Sequence, residues 1–419
     1  MKAAKEILVY ADWKAGGSPV LVGVLTAIPS KGKEVFSFEY DASWLRSDSM
    51  FAIDPDMRLY SGRFFLKDEK PNFGVFLDSS PDRWGRMLMD RREAYKARQE
   101  KRKPLALLES DYLLGVYDGH RMGALRFKLD KAAPFLNDDI NMAAPPWTSL
   151  RELEHASRQL EEDNLDDKDY SKWLNFLIAP GSSLGGARPK AGVRDSDGNL
   201  WIAKFPSIND GKDVGGWEMV AHELAIVAGI NVPDAAVKKF NSGYHTFISK
   251  RFDRYPDGNR KHFASAMTML GYMDGAGADT GVSYIEIVEF IMRYGSDVNN
   301  DLEELWRRIV FYISIRNTDD HLRNHGFLLS DNGWKLAPAY DINPNEFGSG
   351  LSLNISEAEN SLDIELAYEV AALFRVKKST ADAIVAKVGK AITNWQKLAK
   401  AIGISKAEQE RMAAAFEKG

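Results

Sequence analysis

RNTDDHLRNHGFLLSDNGWKLAPAYD, residues 316–341, carries two apolar runs on either side of Asp331-Asn332-Gly333. That turn sequence between such runs is a strong hairpin signal, so HGFLLS and GWKLAPAY are predicted as paired strands. A hairpin returns its far end to its start, which brings Asp341 back beside Asn324. Upstream, Leu302, Leu305, Ile309 and Ile313 recur at helical spacing and predict a helix over residues 300–315 that runs into the polar segment. An acidic residue before the hairpin, an Asn at its start and an Asp after it form the arrangement that phosphoryl transfer needs. Asp319 can accept or orient the proton of an attacking hydroxyl, and the oxygens of Asn324 and Asp341 suit the hard Mg2+ ion that neutralises phosphate charge.

Two upstream segments add to this set. Gly181-Ser182-Ser183-Leu184-Gly185-Gly186-Ala187-Arg188-Pro189-Lys190 is small enough in its side chains to let backbone N–H groups approach phosphate oxygens. It matches neither G-x-x-x-x-G-K-[ST] nor G-x-G-x-x-G, and a plain glycine-rich turn is an equally good reading of it alone. LWIAKFP, residues 200–206, is a short apolar strand interrupted by Lys204, after which Glu218 falls in the first turns of a helix. In a kinase site a strand Lys holds nucleotide phosphates and a helix Glu orients it; in isolation a snorkelling Lys and an exposed Glu explain them as well.

Other chemistries find less support. His321 and His325 lie four apart, but His-Leu-Arg-Asn-His lacks the Glu of a zinc hydrolase motif and sits in a loop-to-strand passage. His321 is therefore assigned a structural hydrogen-bonding role in the loop. No Gly-x-Ser-x-Gly elbow is present, and Cys is absent, which excludes disulfides, thiolate nucleophiles and Cys-based metal sites.

The remaining sequence supplies a scaffold. EILVYADW, VLVGVLTAI and EVFSFEYD alternate apolar and polar residues and predict a small antiparallel sheet near the N-terminus. A helix is predicted from Ser80-Pro81-Asp82, with Ser80 as cap, continuing into RREAYKARQEKRK, whose interspersed Glu93 and Glu100 mark a solvated face. KAAPFLNDDINMAAPPW has connector composition, and Ser149-Leu150-Arg151-Glu152 has capping-box spacing before a new helix. Strands are expected around residues 190–205 and 244–251, a helix around 217–229, and mainly helices thereafter. This divides the chain into residues 1–146, an N-terminal subdomain; 147–252, a mixed lobe with the Gly-rich loop; and 253–419, a helical lobe with the candidate catalytic loop.

With 419 residues, 44% hydrophobic and 27% charged, the chain can bury a large core. A formal charge of −5 argues against global attraction to nucleic acid or anionic lipid. The opening residues have too short an apolar run for a signal peptide, and no stretch approaches the length of a membrane span, so a cytoplasmic protein without membrane contact is expected.

Together the motifs resemble the HipA family of toxin–antitoxin serine/threonine kinases. The family pattern is a Ser loop resembling S-x-x-G-A-x-x-K, a strand Lys, D-x-H-x-x-N and a later P-x-Y-D. It is matched by residues 183–190, Lys204, Asp319 to Asn324 and Pro338-Ala339-Tyr340-Asp341. The resemblance covers most of the chain from about residue 60 and implies an α+β, bilobal protein-kinase-like fold with an extra N-terminal subdomain. It implies ATP and Mg2+ as cofactors, with Lys204 on the ATP phosphates, Asp319 catalytic, and Asn324 and Asp341 on the metal. The loop residues Ser183, Gly185, Gly186 and Ala187, together with Glu218 and His321, complete the nucleotide site. Adenine would hang on backbone groups of Lys250 and Phe252, although many relatives are acidic where Lys250 stands. Family members can phosphorylate a Ser of the glycine-rich loop and so disable nucleotide binding; Ser183 matches it, with Ser182 as neighbour.

Some relatives phosphorylate aminoacyl-tRNA synthetases and bind a helix-turn-helix antitoxin that recruits DNA. A protein substrate of that kind, a HipB-like antitoxin and only indirect DNA contact are the expectations inherited here. Two alternatives remain at this stage: a weakly catalytic regulatory module that acts by binding a DNA-bound antitoxin, and nucleotidyl transfer or small-molecule phosphorylation on the same scaffold. A pure binding module has no physical need for Lys204, Asp319, Asn324 and Asp341 together.

Overall fold

The computed structural model describes residues 4–14, 17–47, 50–66, 70–140, 143–162, 170, 173–174, 177, 186 and 188–417. Contacts divide the chain into two compact units. One is Met1–Ile208 with Asp253–Ala264, and the other is Asn209–Phe252 with Ser265–Gly419. The lobe expected over residues 147–252 thus contributes its first part to one unit and residues 209–252 to the other.

In the first unit the alternating N-terminal segments form an antiparallel sheet in the order Arg63–Phe65, Lys33–Tyr40, Val20–Ser30, Lys5–Ala11, Leu125–Lys128. Period-two alternation sends Ile7, Val9, Leu25, Phe36 and Phe38 to one face, and a register shift beside Val9 and Tyr10 brings Val22 into the same core, where they pack with Phe73, Phe76, Leu113 and Phe127. The helix after Pro81 runs over Arg83–Gln99, and its cap is Asp82, which accepts from the Gly85 N–H, not Ser80. Ser80 is buried, and its hydroxyl is already committed to the Phe76 carbonyl one turn earlier. Within the basic stretch Arg102 pairs with Glu93 and Glu100.

The helix after the connector covers Leu150–Glu162 and buries Leu150, Leu153 and Leu160. Ser149 belongs to a 3-10 turn, Trp147–Ser149, that feeds the helix, so it does not sit in the capping position. Strands Lys190–Arg194 and Leu200–Lys204 then pair antiparallel, with Lys190 opposite Lys204. The Lys190 ammonium is 2.6 Å from the Asp82 carboxylate, both almost fully buried, and the Lys190 carbonyl accepts from the Trp84 indole. Leaving one partner of such a buried pair alone costs about 3–5 kcal/mol. The base of the Ser-containing loop is in this way tied to the cap of the Arg83–Gln99 helix.

In the second unit the helix Val214–Ala228 is capped by Asp213 and ends at Gly229, whose φ of +85° is the left-handed conformation that a C-cap needs. Strands Ala235–Lys239 and His245–Lys250 pair antiparallel; the first of them, AAVKK, has no clear alternation and is not anticipated from sequence. Helices Tyr284–Tyr294 and Val298–Ile315 follow, the latter burying Leu302, Leu305, Ile309 and Ile313 and stopping at Arg316 with φ +51°. The predicted hairpin is present as Gly326–Ser330 against Gly333–Leu336, with Phe327 opposite Leu336 and Ser330 opposite Gly333. Helices Ile364–Val370, Lys378–Ile392, Trp395–Ile402 and Lys406–Met412 complete the unit. No described helix is long and apolar enough to cross a membrane.

Candidate active site

The loop between the Val298–Ile315 helix and the hairpin is shaped by alternating exposure. Asp319 is exposed, whereas Asp320 is 1% exposed and turned into the protein. There one oxygen of Asp320 accepts from the Tyr284 hydroxyl and stands 2.7 Å from His325 Nε2, itself fully buried. The Tyr284 phenol is driven well above its ordinary range by burial and then by the Asp320 charge, so it stays a donor. This buried set fixes the loop, and Asp319 is presented as a consequence. Sequence reading missed this tie and the part of His325 in it, because Tyr284 lies 36 residues from Asp320 in the chain and leaves no local signal.

Asn324 is 2% exposed, and its amide nitrogen donates to the Asp319 carbonyl at 2.9 Å. That bond sets the amide's orientation, and its buried Oδ1 has no hydrogen-bond partner among the described residues. A buried orphan acceptor is costly, and an oxygen-seeking cation satisfies it. Asp341 is returned to this neighbourhood by the hairpin: the Tyr340 hydroxyl donates to the Arg323 carbonyl at 2.7 Å, and Ala337 N–H donates to the Gly326 carbonyl at 2.8 Å. Asp341 has φ +60°, and its Oδ1 accepts from Asn343 Nδ2 at 3.2 Å.

Desolvation of its carboxyl raises Asp319 above the usual range, with His321 opposing this and the charges of Asp341 and Asp320 adding to it. A carboxylate raised by neighbouring negative charge favours a cation nearby. The donor set fits Mg2+: an amide oxygen and a carboxylate, with water to complete the shell, since this ion keeps several waters. Among the described residues no group of three or more His, Cys, Asp and Glu is placed to hold a metal ion. His321 bonds the loop through its backbone, N–H to the Asp319 carbonyl and carbonyl from the Asn324 N–H, while its buried Nδ1 has no partner among the described residues. The loop bonds of His321 are thus made by its backbone. Beside it a cavity of about 310 Å3 is lined by His321, Arg323, Asp274, Met267, Leu351 and Ser352 among others.

The other expected residues are placed as follows. Lys204 ends its strand and is half-buried in the first unit, and Glu218 lies in the helix Val214–Ala228 of the second, 4% exposed. The Lys250 N–H donates to the Asp234 carbonyl at 2.8 Å, so an adenine contact by Lys250 would use its carbonyl oxygen. Phe252 packs its ring on Tyr340 at 5.5 Å, linking that segment to the loop that holds Asp319 through the Tyr340–Arg323 bond. Of the glycine-rich loop, Gly186 is described, with φ +99° and the Lys190 ammonium 3.2 Å from where a Cβ would stand. Ser182, Ser183, Gly185 and Ala187 lie outside the described residues.

Comparison with known families finds the HipA-like C-terminal domain over residues 182–396, just over half of the chain. The chain belongs to the HipA family. Among solved structures, the HipA–HipB toxin–antitoxin complex with operator DNA from Shewanella oneidensis matches with a TM-score of 0.62 at 16% identity, covering 97% of this chain and 95% of that one. The HipA-like α+β fold therefore extends over nearly the whole chain. Two curated relatives also align. A Haemophilus influenzae protein named "Putative kinase" is 32% identical over 124 residues, 27% of this chain and 36% of its own. A Sinorhizobium fredii protein named "Putative kinase Y4mE" is 26% identical over 147 residues, 34% and 33% respectively. The alignments thus span about a third of the length of these relatives.

Proposed function

We propose that this HipA-family chain is an ATP- and Mg2+-dependent serine/threonine-protein kinase and the toxin component of a toxin–antitoxin pair. The observation that carries the reading is the Asn324 side chain: its nitrogen is pinned to the loop that presents Asp319, and its buried oxygen has no partner among the described residues. Asp319 takes the proton of the acceptor hydroxyl as that oxygen attacks the γ-phosphorus and ADP departs. Asn324 and Asp341 would hold Mg2+, which supplies charge neutralisation on the phosphates when bound. Lys204 gives a cation for the nucleotide phosphates, Glu218 supports its orientation, and the Lys250 carbonyl and Phe252 backbone receive adenine. The names of the two curated relatives support phosphoryl transfer, and the Shewanella complex supports a HipB-like antitoxin as partner, with DNA reached through it. An aminoacyl-tRNA synthetase is the substrate class proposed from the family resemblance.

Lys204→Ala is expected to raise the dissociation constant for Mg-ATP by about tenfold to a hundredfold, the effect of losing one charge-assisted phosphate contact of about 1.5–3 kcal/mol. Glu218→Ala should weaken it less. Titration calorimetry with Mg-ATP checks both, and equal affinity in wild type and Lys204→Ala removes the strand lysine from the site.

Autophosphorylation at Ser183 completes the proposal, since about two negative charges in a loop meant for the nucleotide's phosphates oppose ATP by repulsion and bulk. Mass spectrometry should find phosphate at Ser183 in active protein and none in Asp319→Ala. Phosphate at neither Ser182 nor Ser183 in active protein would end this part of the account.

A further inference from the structure

The helix that carries Glu218 begins at a junction held by the C-terminal segment of the same unit. Asp213, the cap, is 2% exposed and accepts from the N–H of Gly216 at 3.0 Å, from the N–H of His245 at 2.8 Å and from the His245 ring. What holds the capping residue itself is Glu408. One of its carboxylate oxygens accepts from the Asp213 N–H at 2.7 Å and from the Trp217 indole N–H at 2.8 Å. A single oxygen therefore fixes both the cap and the side chain next to Glu218.

The surrounding contacts have the same two ends. Trp395 and Phe416 stack at 4.7 Å with their rings 11° apart, and Trp217 lies 6.1 Å and 5.9 Å from them. Arg411 donates to the Gly211 carbonyl at 3.0 Å. Lys212 pairs with Glu346 at 2.5 Å and rests on the Met412 sulfur at 3.5 Å. Glu346 lies five residues beyond Asp341, in the segment that follows the candidate metal carboxylate. Residues 395–416 thus touch the head of the Glu218 helix directly and the Asp341 segment through Lys212. Packing alone would ask only for apolar cover over Trp217; a carboxylate whose one oxygen joins cap and indole adds direction to the helix start.

We infer that Glu408 is a positioning residue, and that residues 395–416 form a clasp through which the C-terminal segment sets nucleotide affinity by fixing the helix that carries Glu218. The inference rests on the kinase reading and on the role given there to Glu218. It makes the C-terminal segment a place where a change far from the catalytic loop alters ATP use without altering the chemical step.

The test uses the full chain with Mg-ATP and four proteins: wild type, Glu408→Ala, Glu408→Gln and, as a surface control on the same helix, Glu410→Ala. Loss of a charge-assisted acceptor should raise the Mg-ATP dissociation constant and the KM for ATP of Glu408→Ala by about tenfold, with kcat within about twofold of wild type. Glu408→Gln keeps an oxygen able to accept both N–H groups and should return close to wild type, as should Glu410→Ala. Where the Ala variant does not fold, Glu408→Asp, which withdraws the carboxylate by one methylene, should show the rise in KM. A fall in melting temperature with unchanged ATP affinity and KM would mean that the clasp is structural only and would overturn the inference, as would a Gln variant no better than Ala. Wild-type protein that binds no Mg-ATP overturns the kinase reading and the inference with it, whereas wild-type binding with an unshifted Glu408→Ala overturns the inference alone.

Discussion

Asp319→Ala is expected to lower phosphoryl transfer by about a thousandfold, within the range of about 10²–10⁴ that a positioned general base contributes. The fold should be untouched. The side chain is exposed, and the loop is held by groups that the substitution leaves in place: the Asn324 amide bonds the Asp319 backbone carbonyl, and Asp320 is anchored by Tyr284 and His325. Removing the carboxylate therefore deletes hydroxyl positioning and little else. Single-turnover transfer from γ-labelled ATP, together with a thermal melt, checks both halves. Wild-type turnover in the variant would remove Asp319 from the mechanism.

The second large effect is at Asp341. A divalent ion contributes several kcal/mol of charge stabilisation in phosphoryl transfer, and each 1.36 kcal/mol is tenfold in rate, so loss of its carboxylate ligand should lower turnover by about 10²–10⁴. The residue sits at φ +60°, where Ala adds backbone strain of about 1–2 kcal/mol and would mix a folding effect with the chemical one. Asn tolerates that conformation and is the cleaner replacement. Asp341→Asn should keep the melting temperature near wild type and show both the lost turnover and a raised Mg2+ requirement. Unchanged Mg2+ dependence in a slow variant would give Asp341 another role.

How much of this was legible in sequence depends on whether the deciding interaction is local. The hairpin was readable because Asp331-Asn332-Gly333 specifies a turn within three residues, and with it the return of Asp341 toward Asn324. The burial of Leu302, Leu305, Ile309 and Ile313 followed from spacing alone. Adjacent Asp319 and Asp320 could not be sorted, since what turns Asp320 inward is Tyr284 on another helix. The part of His325 in that buried set is hidden for the same reason. Ser80 lost the capping position to Asp82 because a neighbouring carbonyl had already taken its hydroxyl, and Glu408 gave no sign of its place at the head of a helix almost two hundred residues earlier. Short polar motifs report their own geometry; which buried partner each one meets is written in the tertiary fold.

The central claim is Mg2+-dependent transfer of the ATP γ-phosphoryl group to a protein hydroxyl. It is tested most directly by incubating the purified chain with γ-labelled ATP, Mg2+ and cell lysate and identifying the labelled residues. The account predicts label on serine or threonine of a protein, lost when Mg2+ is chelated and when Asp319→Ala replaces wild type. No protein-bound label with wild type, or label that persists equally with Asp319→Ala, would contradict it.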